Sequence, residues 1–157
     1  MELLLDTRDR GASVRATSRS VDGQLDMTFD VRAEDLGTVR DIVQAYLCWW
    51  RVDGEIAYRL LTIVNELLTN VVQHTPADAN GYRMANLLLQ KVPDGVTAIV
   101  RDQDRRPPVH VTPGPLAEEG RGLMLVRALA NDTSVSMTPA GKDVWVFVAA
   151  PDVPENI

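Results

Sequence analysis

Residues 56–75 read IAYRLLTIVNELLTNVVQHT, a strongly apolar stretch in which Glu66, Asn70 and His74 recur at every fourth position. Side chains four apart stand one above another on a helix, so these three form a polar row. Leu60, Val64, Leu67 and Val71 mark the centre of the face that such a helix buries. Glu66 and Asn70 fall on the edge of that face, while His74 lies inside the apolar arc next to the helix end. A polar row along the rim of a buried face borders a cleft. Pro76 cannot continue the helix, and Asp78, Asn80 and Gly81 supply turn chemistry beyond it.

Working outward toward the N-terminus, Glu34 to Trp50 repeats Leu36, Val39, Val43, Tyr46, Leu47 and Trp50 at helical spacing and stops before Asp53-Gly54. Before it, Leu25, Met27, Phe29 and Val31 alternate with Asp26, Thr28 and Asp30, the period of a strand with one buried face. Residues 1–23 mix charge, Ser and Gly without a period and read as an arm holding at most one short strand.

Toward the C-terminus, Tyr82 to Val92 and Val96 to Arg101 flank Pro93-Asp94-Gly95 and read as a hairpin of central strands. The segment 103–119, QDRRPPVHVTPGPLAEE, holds four prolines and sustains no period. Loops of this length in compact domains usually serve as lids or lie outside the folded core. Gly120-Arg121-Gly122 then leads into the apolar helix LMLVRALAN. Thr133 to Met137 and Asp143 to Ala149 form a second hairpin around Pro139-Ala140-Gly141, and residues 151–157 are a tail. The order predicts an α/β chain of the α+β, two-layer kind: a mixed, mainly antiparallel sheet with three helices on one face. One domain, residues 24–150, carries it.

At 157 residues the chain can bury one continuous core. Its hydrophobic fraction of 45% and charged fraction of 24% are those of a globular protein. No apolar run reaches the length of a membrane span, and the apolar start gives way at once to Asp6, Arg8, Asp9 and Arg10, so no signal-peptide core develops. Cys48 is the only cysteine, which excludes an intrachain disulfide and fits a cytoplasmic setting. The net charge of -6 argues against a general nucleic-acid surface.

Three features carry chemistry. Glu66 can act as a general base, and the Asn70 amide oxygen is a hard donor suited to Mg2+, which usually keeps waters and substrate phosphates as its other ligands. The Gly-Arg-Gly opening of a helix lets backbone amides approach an anion where the helix terminus favours negative charge. Asp102 sits where an apolar strand emerges into the presumed lid, a place for a recognition carboxylate. Singly, each has a plain structural explanation: a helix-edge polar group, a steric turn, a turn residue, and for His74 a C-terminal capping group. In this order they fit nucleotide binding.

On these residues the sequence resembles the GHKL ATPases, specifically the small anti-sigma-factor serine kinases of bacteria and their actinobacterial relatives, over about Leu25 to Ala149. NELLTNVVQHT looks like the N box, GRGLMLVRALA like the second glycine box with its helix, and GKDVW like the closing Gly-x-x-Val-Trp strand. Arg40 fits as well. Where family members often have Asp-x-Gly, this chain has Asp102-Gln103-Asp104. The resemblance implies a Bergerat-type ATP pocket closed by the 103–119 lid. Glu66 would activate a protein hydroxyl or water, Asn70 would coordinate Mg2+ and Asp102 would accept the adenine amino group. Amides of Gly120, Arg121, Gly122 and Leu123 would cradle the phosphates, Arg121 adding a cation, with His74 and Lys142 beside the nucleotide. It implies ATP and Mg2+ as cofactors, a sigma factor and an anti-anti-sigma factor as partners, serine/threonine kinase activity and a homodimer. The alternative is a degenerate partner-switching module of the same fold that binds proteins through its surface.

Overall fold

The computed structural model describes residues 2–5, 16–104 and 118–150, with side chains described over 22–104 and 123–150. The strands are β1 (Glu2–Leu5), β2 (Ala16–Val21), β3 (Gln24–Asp30), β4 (Met84–Val92), β5 (Gly95–Asp102), β6 (Asp132–Thr138) and β7 (Gly141–Ala149), and the helices are α1 (Leu36–Trp49), α2 (Gly54–His74) and α3 (Glu118–Leu129). They form one seven-stranded sheet in the order β1-β2-β3-β4-β5-β7-β6. Every adjacent pair is antiparallel, so the mixed character expected of the sheet is absent among the described residues. The first 23 residues contribute two strands, where one at most was expected, and both extend the sheet beyond β3.

The two-residue period predicted for the strands is what buries them. Leu25, Met27 and Phe29 of β3, Ala85, Leu87 and Leu89 of β4, Val96, Ala98 and Val100 of β5, and Val144, Val146 and Val148 of β7 all point into the core. Their register makes these residues direct cross-strand neighbours, so they share one face of the sheet. Opposite them lie Val39, Val43 and Leu47 of α1 and Ile56, Ala57, Leu60, Ile63, Val64, Leu67, Leu68 and Val71 of α2. The four residues placed at the centre of the buried face of α2 are therefore all in the core, and the architecture is the expected two-layer α+β sandwich.

Helix ends follow local chemistry. Asp53 caps α2, its carboxylate accepting from the Glu55 amide at 2.9 Å. Thr75 leaves the helix in an extended conformation, as a residue before proline must. α1 ends in a Schellman arrangement: the Arg51 amide donates to the Cys48 carbonyl and the Val52 amide to the Leu47 carbonyl, both at 3.0 Å. The turning residue is Arg51, at φ 56°. Of the expected lid, residues 103–119, only 105–117 lie outside the described residues, as does the tail 151–157, while Glu118 and Glu119 belong to α3 instead. α3 begins at Glu118, two residues before the glycine that was expected to precede it.

Candidate functional site

The two ends of the sandwich can be told apart from contacts. The N-terminal end of α2, through Asp53 and Ile56, borders a cavity shared with the β4–β5 turn at Pro93, Asp94 and Gly95 and with Ala149. The C-terminal end of α2 meets the opposite rim, where Arg83 Nε donates to the Thr75 carbonyl at 2.8 Å. Arg83 directly precedes β4, and the start of β4 pairs with the end of β5 through Ala85 and Asp102. Asn70, His74 and Asp102 therefore lie toward one end. α3 runs away from it, since Asn131 just beyond its C-terminus is bonded by Arg59 at the other end, so the Gly120-Arg121-Gly122 turn also belongs to the end that holds Asp102.

The polar row faces the right way across the helices. Arg59, Ile63, Glu66 and Asn70 follow one another along one side of α2. Arg59 donates to Asn131 Oδ1 at 2.7 Å and to the Ala149 carbonyl at 2.8 Å, which turns that side toward α3, β6 and β7. Glu66, Asn70 and His74 are each half-buried.

Asp102 continues the helix-facing alternation of Val96, Ala98 and Val100, which directs its carboxylate between the layers. It is 5% exposed; the Asp104 amide donates to its Oδ1 at 2.8 Å, and Lys142 Nζ stands 3.8 Å from its Oδ2. Burial pushes its carboxyl pKa up, and the Asp104 amide and the Lys142 ammonium offset this only in part. Asp104, also buried, is a second carboxylate at this corner. Gly141 permits the closure: a Cβ there would lie 1.8 Å from the Asp102 carbonyl oxygen.

The α3 turn differs from its expected form. A helix starting at Glu118 leaves its amides without intrahelical acceptors only as far as Gly120; those of Arg121, Gly122 and Leu123 are placed to bond carbonyls four residues back. Of the four amides expected to cradle phosphate, one lies in the unpaired set. Among the described residues no group of three His, Cys, Asp or Glu forms a metal cluster.

One supporting element has no pattern in the sequence to announce it. Asp30, 4% exposed, breaks the alternation at the end of β3 and accepts from Arg32 Nε at 2.7 Å and from the Arg83 amide at 2.8 Å. With Arg83 bonded to Thr75, this brace fixes where α2 ends, and with it His74 and Asn70. The only local signal is an Asp where the strand period calls for an outward residue.

An antiparallel sheet under three helices, with a Glu/Asn helix edge, a strand-end Asp and a glycine-containing helix start toward one end, defines an α+β sandwich with its polar groups gathered at that end. Residues 29–148 match the family model described as histidine kinase-like ATPase domain, and the chain belongs to that family. Among solved structures it is similar to the RsbU and RsbW domains of Rv1364c from Mycobacterium tuberculosis, with 19% identity and a TM-score of 0.63, over 80% of this chain and 32% of that one. The chain thus spans about a third of that structure. It is also similar to the histidine kinase domain of the Erythrobacter litoralis EL346 blue-light activated histidine kinase, at 19% identity and a TM-score of 0.49, over 77% of this chain and 61% of that one. No curated protein matches it. Among the described residues no helix is long and apolar enough to cross a membrane.

Proposed function

We propose that this chain is an ATP-binding, serine/threonine-kinase-type regulator that sequesters a sigma factor and phosphorylates an anti-anti-sigma partner, in the cytoplasm and as a homodimer. The observation that carries the reading is the convergence of the Glu66–Asn70 helix edge and the buried Asp102 carboxylate at one end of an ATPase-family fold.

The donor set fits Mg-ATP. The Asn70 amide oxygen, a hard donor, matches an ion whose other ligands are phosphates and water. Asn70 would hold Mg2+, which when bound would supply charge neutralisation on the phosphates. Glu66, one helical turn before Asn70, takes the proton of the attacking serine hydroxyl, and Asp102 holds the base by accepting from its amino group. The Gly120 amide, in the unpaired first turn of α3, is available to the phosphates at a helix start that favours negative charge. Arg121 adds positive charge, and His74 flanks the phosphates from the end of α2. The helix-free face of the sheet brings Leu88, Ile99 and Trp145 into one cross-strand row, a surface suited to the second copy.

Calorimetric titration with Mg-ATP tests the pocket. Asn70→Ala removes binding of Mg-ATP, whereas Glu66→Ala keeps binding and lowers phosphate transfer by about a hundredfold or more, the usual weight of a general base. A correctly folded chain with no affinity for Mg-ATP rules the kinase out.

One observation favours a second reading, a partner-switching module without catalysis: the buried Asp104 carboxylate beside Asp102 opposes binding of a polyanion. Trp49 and Tyr58, 71% and 70% exposed on α1 and α2, offer protein-binding surface to either version. Under the second reading Asp104→Gly creates ATP affinity that the parent lacks, and Glu66→Ala leaves partner capture intact.

A further inference from the structure

β6 forms one edge of the sheet and, among the described residues, pairs only with β7. Gly141 turns both its backbone groups toward β6: its amide donates to Thr138 Oγ1 at 3.0 Å, and its carbonyl accepts from that hydroxyl at 3.2 Å. In an antiparallel ladder this orientation returns at every second residue. Asp143, Trp145 and Phe147 therefore face Ser136, Ser134 and Asp132 as the bonded pairs, and the backbone of Thr133, Val135 and Met137 points away from the sheet. The Asp132 carboxylate accepts from the Thr133 amide at 2.9 Å; the other outward amides and carbonyls bond no described residue. Such an edge is a template for a further strand, and folded proteins usually blunt it with lysine, proline or a bulge. β6 has none of these: its register with β7 runs unbroken, residue to residue, and Asp132 is its single charge. Val135 and Met137 on its helix-facing side are 40% and 43% exposed, and α3, which packs against β6, leaves Met124 and Leu125 exposed as well.

We propose that β6 pairs antiparallel with β6 of a second copy of this chain, about a twofold axis at Val135, joining the two sheets edge to edge. The inference rests on the homodimer of the reading above and names a contact distinct from the helix-free face. The strand sequence DTSVSMT complements itself in this register. Val135 stands opposite Val135, Ser134 opposite Ser136, Thr133 opposite Met137 and Asp132 opposite Thr138. The one charge of each strand thus meets a neutral hydroxyl, and the two Asp132 side chains lie at opposite ends of the joint, where they do not repel. The backbone agrees with the side chains, because this register gives all three outward residues a partner. Val135 of each copy donates to and accepts from Val135 of the other, and each Met137 amide reaches a Thr133 carbonyl, with the Asp132–Thr133 bond left intact. Val135 and Met137 are covered on the helix-facing side, which removes exposed apolar surface from water. Because Met137 lies in register with Lys142 and Asp102, the site end of one chain comes beside the opposite end of the other.

The test is disulfide trapping on the full chain, with the exposed Cys48 changed to Ser so that it supplies no thiol. Ser134→Cys and Ser136→Cys are made separately, one of them tagged so that mixed and like pairs differ in mass. Opposed residues of a non-bonded antiparallel pair have Cα atoms about 4.5 Å apart, within disulfide reach, whereas residue 134 lies roughly 8 Å from its own copy in this register, beyond that reach. Under mild oxidation the mixture is expected to give the mixed cross-link and neither variant alone to give one. Val135→Lys added to both is expected to abolish the cross-link, since it sets two like charges opposite each other, while circular dichroism shows the fold unchanged. A chain that is dimeric in sedimentation equilibrium but yields no mixed cross-link overturns the edge contact and leaves the homodimer standing. A cross-link formed by either variant alone, or a mixed one that survives Val135→Lys, overturns it as well. A monomer at every concentration removes the homodimer itself, and the contact with it.

Discussion

The two ends of this sandwich handle polar groups in opposite ways. At the end where α2 begins, Arg59 is bonded to Asn131 and the Ala149 carbonyl, Lys91 Nζ donates to the Trp50 carbonyl at 2.8 Å, and the Asn131 amide donates to the Phe147 carbonyl at 2.8 Å. Charged donors there end on neutral oxygens of the same fold. At the end where α2 stops, the carboxylates of Asp102 and Asp104 are both buried, and Lys142 Nζ stands 3.8 Å from Asp102 Oδ2. Polar groups at the first end tie α2 and α1 to the strands, whereas those at the second surround the strand end that carries Asp102.

The largest expected effect probes what the two ends share. Each has a strand glycine under a neighbouring backbone: a Cβ on Gly95 would lie 2.0 Å from the Val148 carbonyl oxygen, and one on Gly141 1.8 Å from that of Asp102. Both contacts are with backbone, so neither relaxes by turning a side chain. Gly95→Ala and Gly141→Ala are each expected to cost about 3 kcal/mol in urea unfolding. Only Gly141→Ala moves the peptide that carries Asp102, so at a temperature where both variants are folded it alone loses Mg-ATP affinity. Equal retention by the two would break the distinction between the ends.

Removing one polar group from each end sharpens it. Arg59→Met forfeits two bonds from a charged donor and should lower stability by about 2 kcal/mol with nucleotide affinity unchanged. Asp102→Asn removes a desolvated charge, so stability should hold within about 1 kcal/mol while ATP affinity falls about tenfold or more. Acid gives the same contrast without mutation. The Asp102 carboxyl pKa is raised above its ordinary 3.8 by burial, so as pH falls through that raised value Asp102 loses its acceptor and ATP binding weakens, before ordinary carboxylates titrate. Stability moves the other way: the folded chain takes up this proton more readily than the unfolded one, so the Asp102 contribution to stability is full below 3.8 and is lost as pH rises through the folded-state value. In Asp102→Asn both dependences vanish over that window.

How much of this is legible in sequence follows the same division. The strand periods, the three helices and the buried centre of α2 at Leu60, Val64, Leu67 and Val71 are periodic, and periodicity survives in a one-dimensional string. The polar row is legible for the same reason, since four-residue spacing is itself a structural statement. The pairing of Asp102 with Lys142, forty residues apart, is a matter of strand register across β5 and β7 and has no local signal. The Asp30–Arg83–Thr75 brace is equally non-local. The start of α3 at Glu118 was misplaced because glycines read as a boundary, whereas Glu118 and Glu119 favour the first turn through the helix dipole and draw the helix back over the glycines. The two strands of the first 23 residues carry no apolar alternation; pairing of β2 to β3 and of β1 to β2, not patterning, makes them strands.

The smallest prediction concerns strain rather than charge. Arg51, at φ 56°, occupies the left-handed position of the Schellman turn between α1 and α2, where glycine is the residue without penalty. The turn stands beside the Lys91–Trp50 bond, at the end assigned to structure. Arg51→Gly relieves the left-handed conformation and frees the unfolded chain somewhat, two effects that partly cancel and leave a gain of about 0.5 kcal/mol in urea unfolding. If that end only holds the fold, the gain comes without change in Mg-ATP affinity or phosphate transfer. A loss of either activity in the stabilised variant would place function at both ends, because strain that is kept for a purpose cannot be removed without cost.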